Sequence, residues 1–501
     1  MKQYIKATVT VLLLAVLAVL TLTSCGDCKH ERTYWRVDIE PTCVVAGTRT
    51  KICEDCTAEL ETEQYPGNHI FEEGVCTKCQ ASQYDTRYMV YREITVGGEE
   101  GFELVNMGNC SEYKLTIPAI HKNKPVLAIA AEAFAENIKL KSVHISQNIA
   151  VIGDRAFAGC TSLEAVTFSE ESELVFFGDG VFEGCELIER IAIPAGVTAL
   201  SDGLFDGCEA LTEVIIHNNL TSLGDDVFAG CTITPTLVEN GVAYLGTAEK
   251  PYLVLLELQD KTKTTLNVPD GTVIIAPYAV KGASISGVVL PATLREIGGF
   301  AFSACATLTA PELPTNLVRI GKYAFAACTS MTSIDLPQGL LDIGTGAFRD
   351  ATALSSVSVS SSILRVGSYA FLNCATGVYR TENGVSYVGN AQNPYLVLVK
   401  AEDTDTVTIN AATRVIAENA FMGTGVTSIT VPRSVVAIGN NAFTSCMALE
   451  EIVFLQTVGW QRSIYYGARE SSTVDVSDAA ANVNSMTGAY RDAYLFRVTE
   501  E

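Results

Sequence analysis

Positive charge is scarce in this chain of 501 residues: 34 lysines and arginines stand against 57 acidic residues, a formal charge of −23. Removal of Lys2 and Lys6 with a leader leaves 32 against 57, or −25. A surface that acidic repels phosphate backbones and anionic lipid, which excludes nucleic acid as a partner and leaves the membrane no basic patch to hold. Histidine is scarcer still, with five in all, two of them inside one cysteine-rich stretch. His144 and His217 lie near short apolar strands with no carboxylate and nucleophile at a legible spacing, so they read as structural or surface residues. No nucleophile elbow, paired acid motif or open three-ligand metal site can be read, which disfavours a hydrolase. Past Ser24 no sorting motif or terminal hydrophobic anchor follows, so a tether is expected only at the front.

What the chain does have is 48% hydrophobic residues, ample for a large core, and one phrase rewritten many times. Ile320 to Cys328 reads IGKYAFAAC. AFAGC recurs at Ala156–Cys160, AFSAC at Ala301–Cys305, AFLNC at Ala370–Cys374 and AFTSC at Ala442–Cys446, with looser copies from Val181, Leu204 and Val227. The phenylalanines fall at 134, 157, 182, 205 and 228, then 302, 325, 348 and 371, then 421 and 443. The step within each group is about 23 residues, and a fixed period of that length is the signature of a solenoid.

Each repeat has three parts. First comes a strand L-x-x-[IV]-x-[LIVF], as in Leu163, Val166, Phe168 or Met331, Ile334, Leu336, the latter closed by Pro337. An apolar pair before glycine follows, as in Ile320-Gly321 and Ile343-Gly344, and then the Ala-Phe-x-x-Cys turn. One such coil has a single apolar side and nothing within itself to press it against. Stacking coils about 4.8 Å apart pairs the strands and aligns equivalent side chains in rows. Phe157, Phe182, Phe205 and Phe228 are expected to form one row, each burial stabilising by roughly 2–3 kcal/mol. Proline closes a strand because it cannot donate the next ladder bond. Gly321 and Gly344 are expected at a tight bend of positive φ.

This pattern resembles the BspA-like leucine-rich repeat of bacterial surface proteins, from Tyr88 to about Phe454. The resemblance implies a right-handed solenoid of about a dozen coils of ~23 residues. It also implies a non-catalytic surface for adhesion, with proteins of host matrix or other cells as partners.

The eight cysteines at 160, 185, 208, 231, 305, 328, 374 and 446 occupy the repeat position. Stacked equivalents have parallel Cβ vectors about 4.8 Å apart, whereas a disulfide needs about 3.5–4.5 Å and convergence. They are expected as buried thiols acting as small hydrophobes.

The front of the chain is different. Met1 to Lys6 carries two lysines, and Ala7 to Ser24 is uncharged, as in a signal peptide. It ends Leu22-Thr23-Ser24-Cys25, which resembles a bacterial lipoprotein cleavage box and implies lipid attachment at Cys25, with an uncleaved membrane anchor as the alternative. Either places the rest outside the cytoplasm, at the cell surface or envelope, with the membrane reached through the N-terminus only. Leu, Ile, Val and Phe are sparse between Cys25 and Tyr84, too few for a self-supporting core. The same stretch holds Cys28, His30, Cys43, Cys53, Cys56, His69, Cys76 and Cys79, enough for two closed tetrahedral zinc sites. Cys53-x2-Cys56 and Cys76-x2-Cys79 match a zinc ribbon in their spacing. Structural zinc, two ions on this count, would supply about 10–16 kcal/mol per site. Disulfides are the alternative, and the pairing of ligands stays open.

The period fails twice in the same way. ENGVAYLG at Glu239–Gly246 precedes PYLVLLEL at Pro251–Leu258, and ENGVSYVG at Glu382–Gly389 precedes PYLVLVKA at Pro394–Ala401. Both pieces are displaced by one and the same interval, so a larger unit has been duplicated. Asn240-Gly241 and Asn383-Gly384 suit tight turns, so each insert is expected to be a β-hairpin pushed out of the coil edge. The outward strand positions, His144, Thr167, Ala192, Ile215, Asp335, Ser358, Thr430 and Val453, include no aromatic residue. A glycan or nutrient site, the second functional reading, therefore has to use Tyr244, Tyr252, Tyr387, Tyr395 or Trp460. The plainer reading is that these rings pack over the solenoid. In the tail, Ser477 or Asp478 is expected to cap a short helix through Ala481.

The layout is thus a signal peptide at 1–24, a Cys/His zinc-ribbon-like module at 25–84 and a solenoid cap at 85–127. Repeats at 128–455 carry inserts at about 234–268 and 376–410, and a closing cap covers 456–501.

Overall fold

The computed structural model describes residues 33–39, 47–54, 59–65, 71–72, 75–76 and 89–498, apart from 109–112, 464–471 and 491–492. The leader and Cys25 lie outside the described residues. Ahead of the solenoid, Thr33–Ile39, Gly47–Cys53 and Glu59–Tyr65 form an antiparallel sheet, and Phe71–Glu72 pairs with Val75–Cys76.

From residue 89 onward the chain is a β-solenoid of about 15 turns. Most coils give one short strand to each of two faces. Ser142–Ile145 pairs in parallel with Ala165–Phe168, Val143 opposite Val166 and Ile145 opposite Phe168. On the second face Ile297, Ile320, Ile343 and Val366 stand in register, one per coil. That register follows from the period, since equal coils bring equal positions side by side. The rings stack as expected: Phe134 to Phe228 form one row with centroids 4.8 to 6.0 Å apart. Phe302 to Phe371 form a second row at 5.3 to 5.5 Å, and Phe421 and Phe443 a third at 5.4 Å.

The turn bearing each phenylalanine is left-handed twice, two residues before the ring and two after. Examples are Arg155 and Gly159 around Phe157, and Tyr323 and Ala327 around Phe325. The expectation for Gly321 and Gly344 is corrected here, because neither has a positive φ. They are glycine because the previous coil is too near. A Cβ on Gly321 would stand 2.5 Å from the Gly299 amide nitrogen, and one on Gly344 2.5 Å from that of Lys322.

The inserts also depart from expectation. Asn240 (φ 50°), Gly241 (71°), Asn383 (50°) and Gly384 (75°) do form tight hairpin turns. The hairpins, however, are not pushed out of the edge. Val242–Leu245 and Val254–Leu258 are built into an eight-stranded sheet, where Val254–Leu258 pairs in parallel with Ile274–Ile275. Val385–Val388 and Val397–Ala401 do the same in a second such sheet. The N-terminal cap is made alike: Val90–Val96 pairs antiparallel with Glu99–Asn106, which lies parallel to Lys124–Ile129. Each insert therefore starts a new run of coils as the cap starts the first, dividing the solenoid into three blocks. At the far end Tyr494–Arg497 closes the last sheet by pairing with Ala437–Ile438. A helix at Ala479–Asn484, capped by Asp478 through Ala480 N and Ala481 N (3.0 Å each), lies on the last coil, where Asn482 donates to the Ile452 carbonyl at 2.9 Å.

Candidate binding surface

Strand alternation turns one side chain of each central pair into the core and its neighbour outward. Thr167, Ala192 and Asp335 are exposed, and His144, Ile215, Ser358, Thr430 and Val453 are half-buried. Neighbouring coils knit this face together with polar rungs. His144 Nδ1 meets the Thr167 hydroxyl at 3.0 Å, Arg190 pairs with Glu213 at 3.0 Å, and Ser428 donates to Glu451 at 2.8 Å. Such exposed pairs add little stability, but they fix the side chains in place and make the face a patterned polar surface.

The five aromatic candidates fare differently from one another. Tyr244 and Tyr387 are each 2% exposed and Trp460 1%. A ring so enclosed offers no face to a ligand, so these three are corrected to core residues. Trp460 packs edge-on against Phe454 (5.3 Å) and donates from Nε1 to the Gln456 carbonyl at 2.8 Å. Tyr252 and Tyr395 are half-buried, each edge-on to its buried partner, Tyr244 (5.1 Å) or Tyr387 (5.4 Å). The Tyr252 hydroxyl donates to Glu239 at 2.6 Å, and Arg380 donates to the Tyr395 hydroxyl at 3.3 Å. Both rings pack over the solenoid, as the plainer reading had it.

Sequence reasoning missed a cleft of about 570 Å³ where the three blocks converge, lined by Asp179, Asp202, Glu296, Arg319, Asp342, Arg365 and Tyr494 among others. Buried ions run along it. Arg319 contacts Glu296 (3.0 Å), Asp225 (3.4 Å) and Asp342 (3.5 Å). Arg365 grips Asp342 with two bonds of 3.0 and 3.1 Å and reaches Glu418 at 2.9 Å. Burial alone would lower both guanidinium pKa values, but the surrounding carboxylates outweigh it and hold them above the ordinary value. Glu296 and Asp225 are pushed up by burial, which Arg319 only partly opposes. Asp154, Asp179, Asp202 and Asp225 recur once per coil. Burial, then the nearby Asp202 and Asp154, raise Asp179 to about 6. Among the described residues no group of three or more such side chains is arranged to hold a metal ion.

Of the eight candidate zinc ligands, Cys53 ends the strand Gly47–Cys53 and Cys76 ends Val75–Cys76. Cys28, His30, Cys43, Cys56, His69 and Cys79 lie outside the described residues. The repeat cysteines are thiols, buried except for half-buried Cys231 and Cys374, and they are more than small hydrophobes. Each donates to a backbone carbonyl of the preceding coil, as Cys160 does to Phe134 (3.2 Å), Cys208 to Phe182 (3.1 Å) and Cys328 to Phe302 (3.2 Å).

The model of the BspA type leucine-rich repeat region matches this chain in six copies over residues 127–248, 259–377 and 400–486. The chain belongs to that family. Among solved structures, a leucine-rich cell surface protein of Faecalibacterium prausnitzii is 20% identical, covering 74% of this chain and 94% of its own, with a TM-score of 0.24. The pneumococcal vaccine antigen PcpA is 16% identical, covering 74% and 97%, with a TM-score of 0.31. The leucine-rich repeat protein of T. pallidum is 17% identical, covering 50% and 91%, with a TM-score of 0.30. At such scores the overlays say nothing further about this chain. No curated protein is similar enough to match. No helix among the described residues is long and apolar enough to cross a membrane.

Proposed function

We propose that this BspA-type repeat protein is a non-catalytic platform for binding proteins at the bacterial cell surface, host matrix or the surface of other cells being the source of its partners. The observation that supports this is the division of labour within each coil. Phenylalanine, leucine and cysteine fill the interior rows, while the outward positions from His144 to Val453, five of eight of them polar, form a long face tied rung by rung. A rigid, extended face suits recognition by shape, since little conformational entropy is lost on docking. Cys25 carries the lipid that tethers the chain, and the Cys/His segment between tether and solenoid is held by two structural zinc ions, with no role in a reaction.

Surface plasmon resonance of the full chain against immobilised matrix proteins tests the platform, and saturable binding is expected. Binding to glycans alone, lost in Tyr252→Ala and Tyr395→Ala, would replace it with the carbohydrate reading. Metal analysis with thiol counting tests the module: two zinc ions per chain and eight reactive repeat thiols after denaturation are expected. No metal and few thiols would mean disulfides instead.

A further inference from the structure

The two inserts are copies of one unit, and they differ where they meet the end of a phenylalanine row. The pairs Leu237↔Tyr244 and Glu239↔Val242 correspond strand for strand to Arg380↔Tyr387 and Glu382↔Val385, which makes Thr236 the counterpart of Tyr379. Tyr379 folds back to Phe371, the last residue of its row. Its hydroxyl donates to the Phe371 carbonyl, and its ring packs against the core. Burial pushes its hydroxyl pKa well above the ordinary value. Phe371 is 2% exposed.

In the first insert a threonine stands in that place, and its hydroxyl donates to the Tyr244 carbonyl at 3.3 Å. The last ring of the first row, Phe228, is only half-buried. A pocket of about 290 Å³ opens on it, walled by Cys231, Pro235, Leu256, Pro277 and Tyr278. Position 236 adjoins this pocket, since Pro235 beside it stands in the wall. The cross-strand neighbours of Val238, first Ala243 and then Glu257, line the pocket.

The carbonyls tell the same story. Phe134, Phe157, Phe182 and Phe205 each receive a cysteine thiol from the next coil, and Phe371 receives the Tyr379 hydroxyl instead. Phe228 has the Cys231 amide at 3.0 Å and no such second donor among the described residues. Phe325 also lacks one there, Ala351 standing at the cysteine position, but Phe348 covers it at 5.5 Å.

We propose that the pocket on Phe228 binds a tyrosine side chain of a partner protein, seated as Tyr379 is seated in the second copy. The hydroxyl donates to the Phe228 carbonyl and the ring fills the pocket. The lining carries the carboxylates of Asp226 and Glu257 and no basic side chain. Lys322 neutralises Asp226 at 2.5 Å and Lys261 lies near Glu257, so the charge preference comes from the chain as a whole, at net −23. A tyrosine set among basic residues is the complementary partner. This assignment rests on the protein-binding reading above and names the chemistry of one of its contacts.

Tyramine, p-cresol and 4-hydroxyphenylacetate serve as probes, titrated into the full chain by ligand-observed NMR. Tyramine is expected to saturate one site and to bind more tightly than 4-hydroxyphenylacetate. Thr236→Tyr, which supplies the plug, should weaken tyramine at least ten-fold while leaving the melting temperature no lower than that of the wild type. Tyr379→Thr should open the second copy and double the stoichiometry, an arm that decides the matter if Thr236→Tyr fails to fold. Unchanged binding in Thr236→Tyr, no second site in Tyr379→Thr, or preference for 4-hydroxyphenylacetate would overturn the assignment. Adhesion to matrix proteins without tyramine binding removes the pocket and keeps the platform. Tyramine binding without adhesion to any protein does the reverse.

Discussion

A glycine that follows the second strand of a coil is set by the backbone beside it. A Cβ on Gly298 would lie 2.6 Å from the Pro277 nitrogen, and one on Gly439 2.5 Å from that of Glu418. Alanine holds the same position at 130, 276 and 417, where the preceding element is not a regular coil but a hairpin strand, whose Leu104, Leu255 and Leu398 carbonyls receive the alanine amides. Ser201 is the exception, and its hydroxyl donates to the Phe177 carbonyl. Gly→Ala at an ordinary φ usually stabilises by about 0.4–1 kcal/mol through the unfolded chain. Gly344→Ala is expected to do the opposite and destabilise by about 1–3 kcal/mol, because it overpacks against Lys322 N. Ala276→Gly should cost no more than about 1 kcal/mol, and urea midpoints of the two variants check the contrast. The repeat thiols carry a second prediction at this scale. Burial pushes Cys208 up to about 12 and Cys305 to about 11, so almost no thiolate is present at pH 8. Both should resist iodoacetamide in the native protein and react once it is unfolded, as peptide mapping would show.

At the scale of the element, the ions in the three-block cleft bind strands that the chain order keeps apart. Arg319 donates to the Leu223 carbonyl at 3.2 Å, and Glu296 accepts from the Leu223 amide at 3.3 Å, joining the last coil of the first block to the second. Arg319→Ala leaves Glu296 and Asp225 buried without their cation and should destabilise by about 3–5 kcal/mol. Arg319→Met with Glu296→Leu removes the most buried of the stranded carboxylates together with the cation and should recover part of that loss, Asp225 remaining, a comparison for chemical denaturation. Asp179 gives the pH dependence. Its folded value of about 6 lies above the ordinary 3.8, so the folded state holds the proton more tightly than the unfolded chain. Stability from this group therefore grows as pH falls from about 6 toward 3.8 and is lost as pH rises. Asp179→Asn should stabilise at pH 7.5 by on the order of 1 kcal/mol, after allowing for solvent screening of a partly exposed group, and change nothing near pH 3.5. The contrast with the phenylalanine rows shows what the sequence made legible. A ring that returns at a fixed interval announces its neighbour, and the two Asn-Gly turns announce the inserts. Ser222 and Glu296, far apart in the chain, follow no period, because an insert resets which coils meet. Tyr244, Tyr387 and Trp460 were misplaced for a related reason: alternation says that a ring leaves one face of its strand, not whether another element covers that face.

On the scale of the molecule, three capped blocks stand in series, but their interiors are not three. The larger core runs from Met89 through the first insert and the second block, joining Phe228 with Leu256 and Ile275, and reaches past the second insert at Val388, Val397, Val415 and Ala437. A second, from Val385 to Leu495, holds most of the third block and the closing cap, and includes Phe421, Phe443 and Trp460. In a solenoid, stability is a sum of coil terms and nearest-neighbour contacts, so cooperativity breaks where the contact between neighbours is weakest. The second insert, where the two interiors meet, is expected to be that place, and Glu418 ties the blocks there. Its amide donates to the Val366 carbonyl at 3.0 Å, and its carboxylate receives Arg365 at 2.9 Å, the Tyr494 hydroxyl at 2.7 Å and the Ser368 amide at 3.2 Å. Differential scanning calorimetry of the full chain is expected to resolve two transitions, the larger from the first two blocks and the smaller from the third. Glu418→Ala strands Arg365 in a buried site and takes about 3–5 kcal/mol from the junction. The smaller transition should then move to lower temperature by several degrees while the larger shifts less, since Asp342 still holds Arg365 on the side of the second block. A single endotherm that shifts as a whole would mean that the coils communicate across the insert as strongly as within a block, and that the two interiors melt as one.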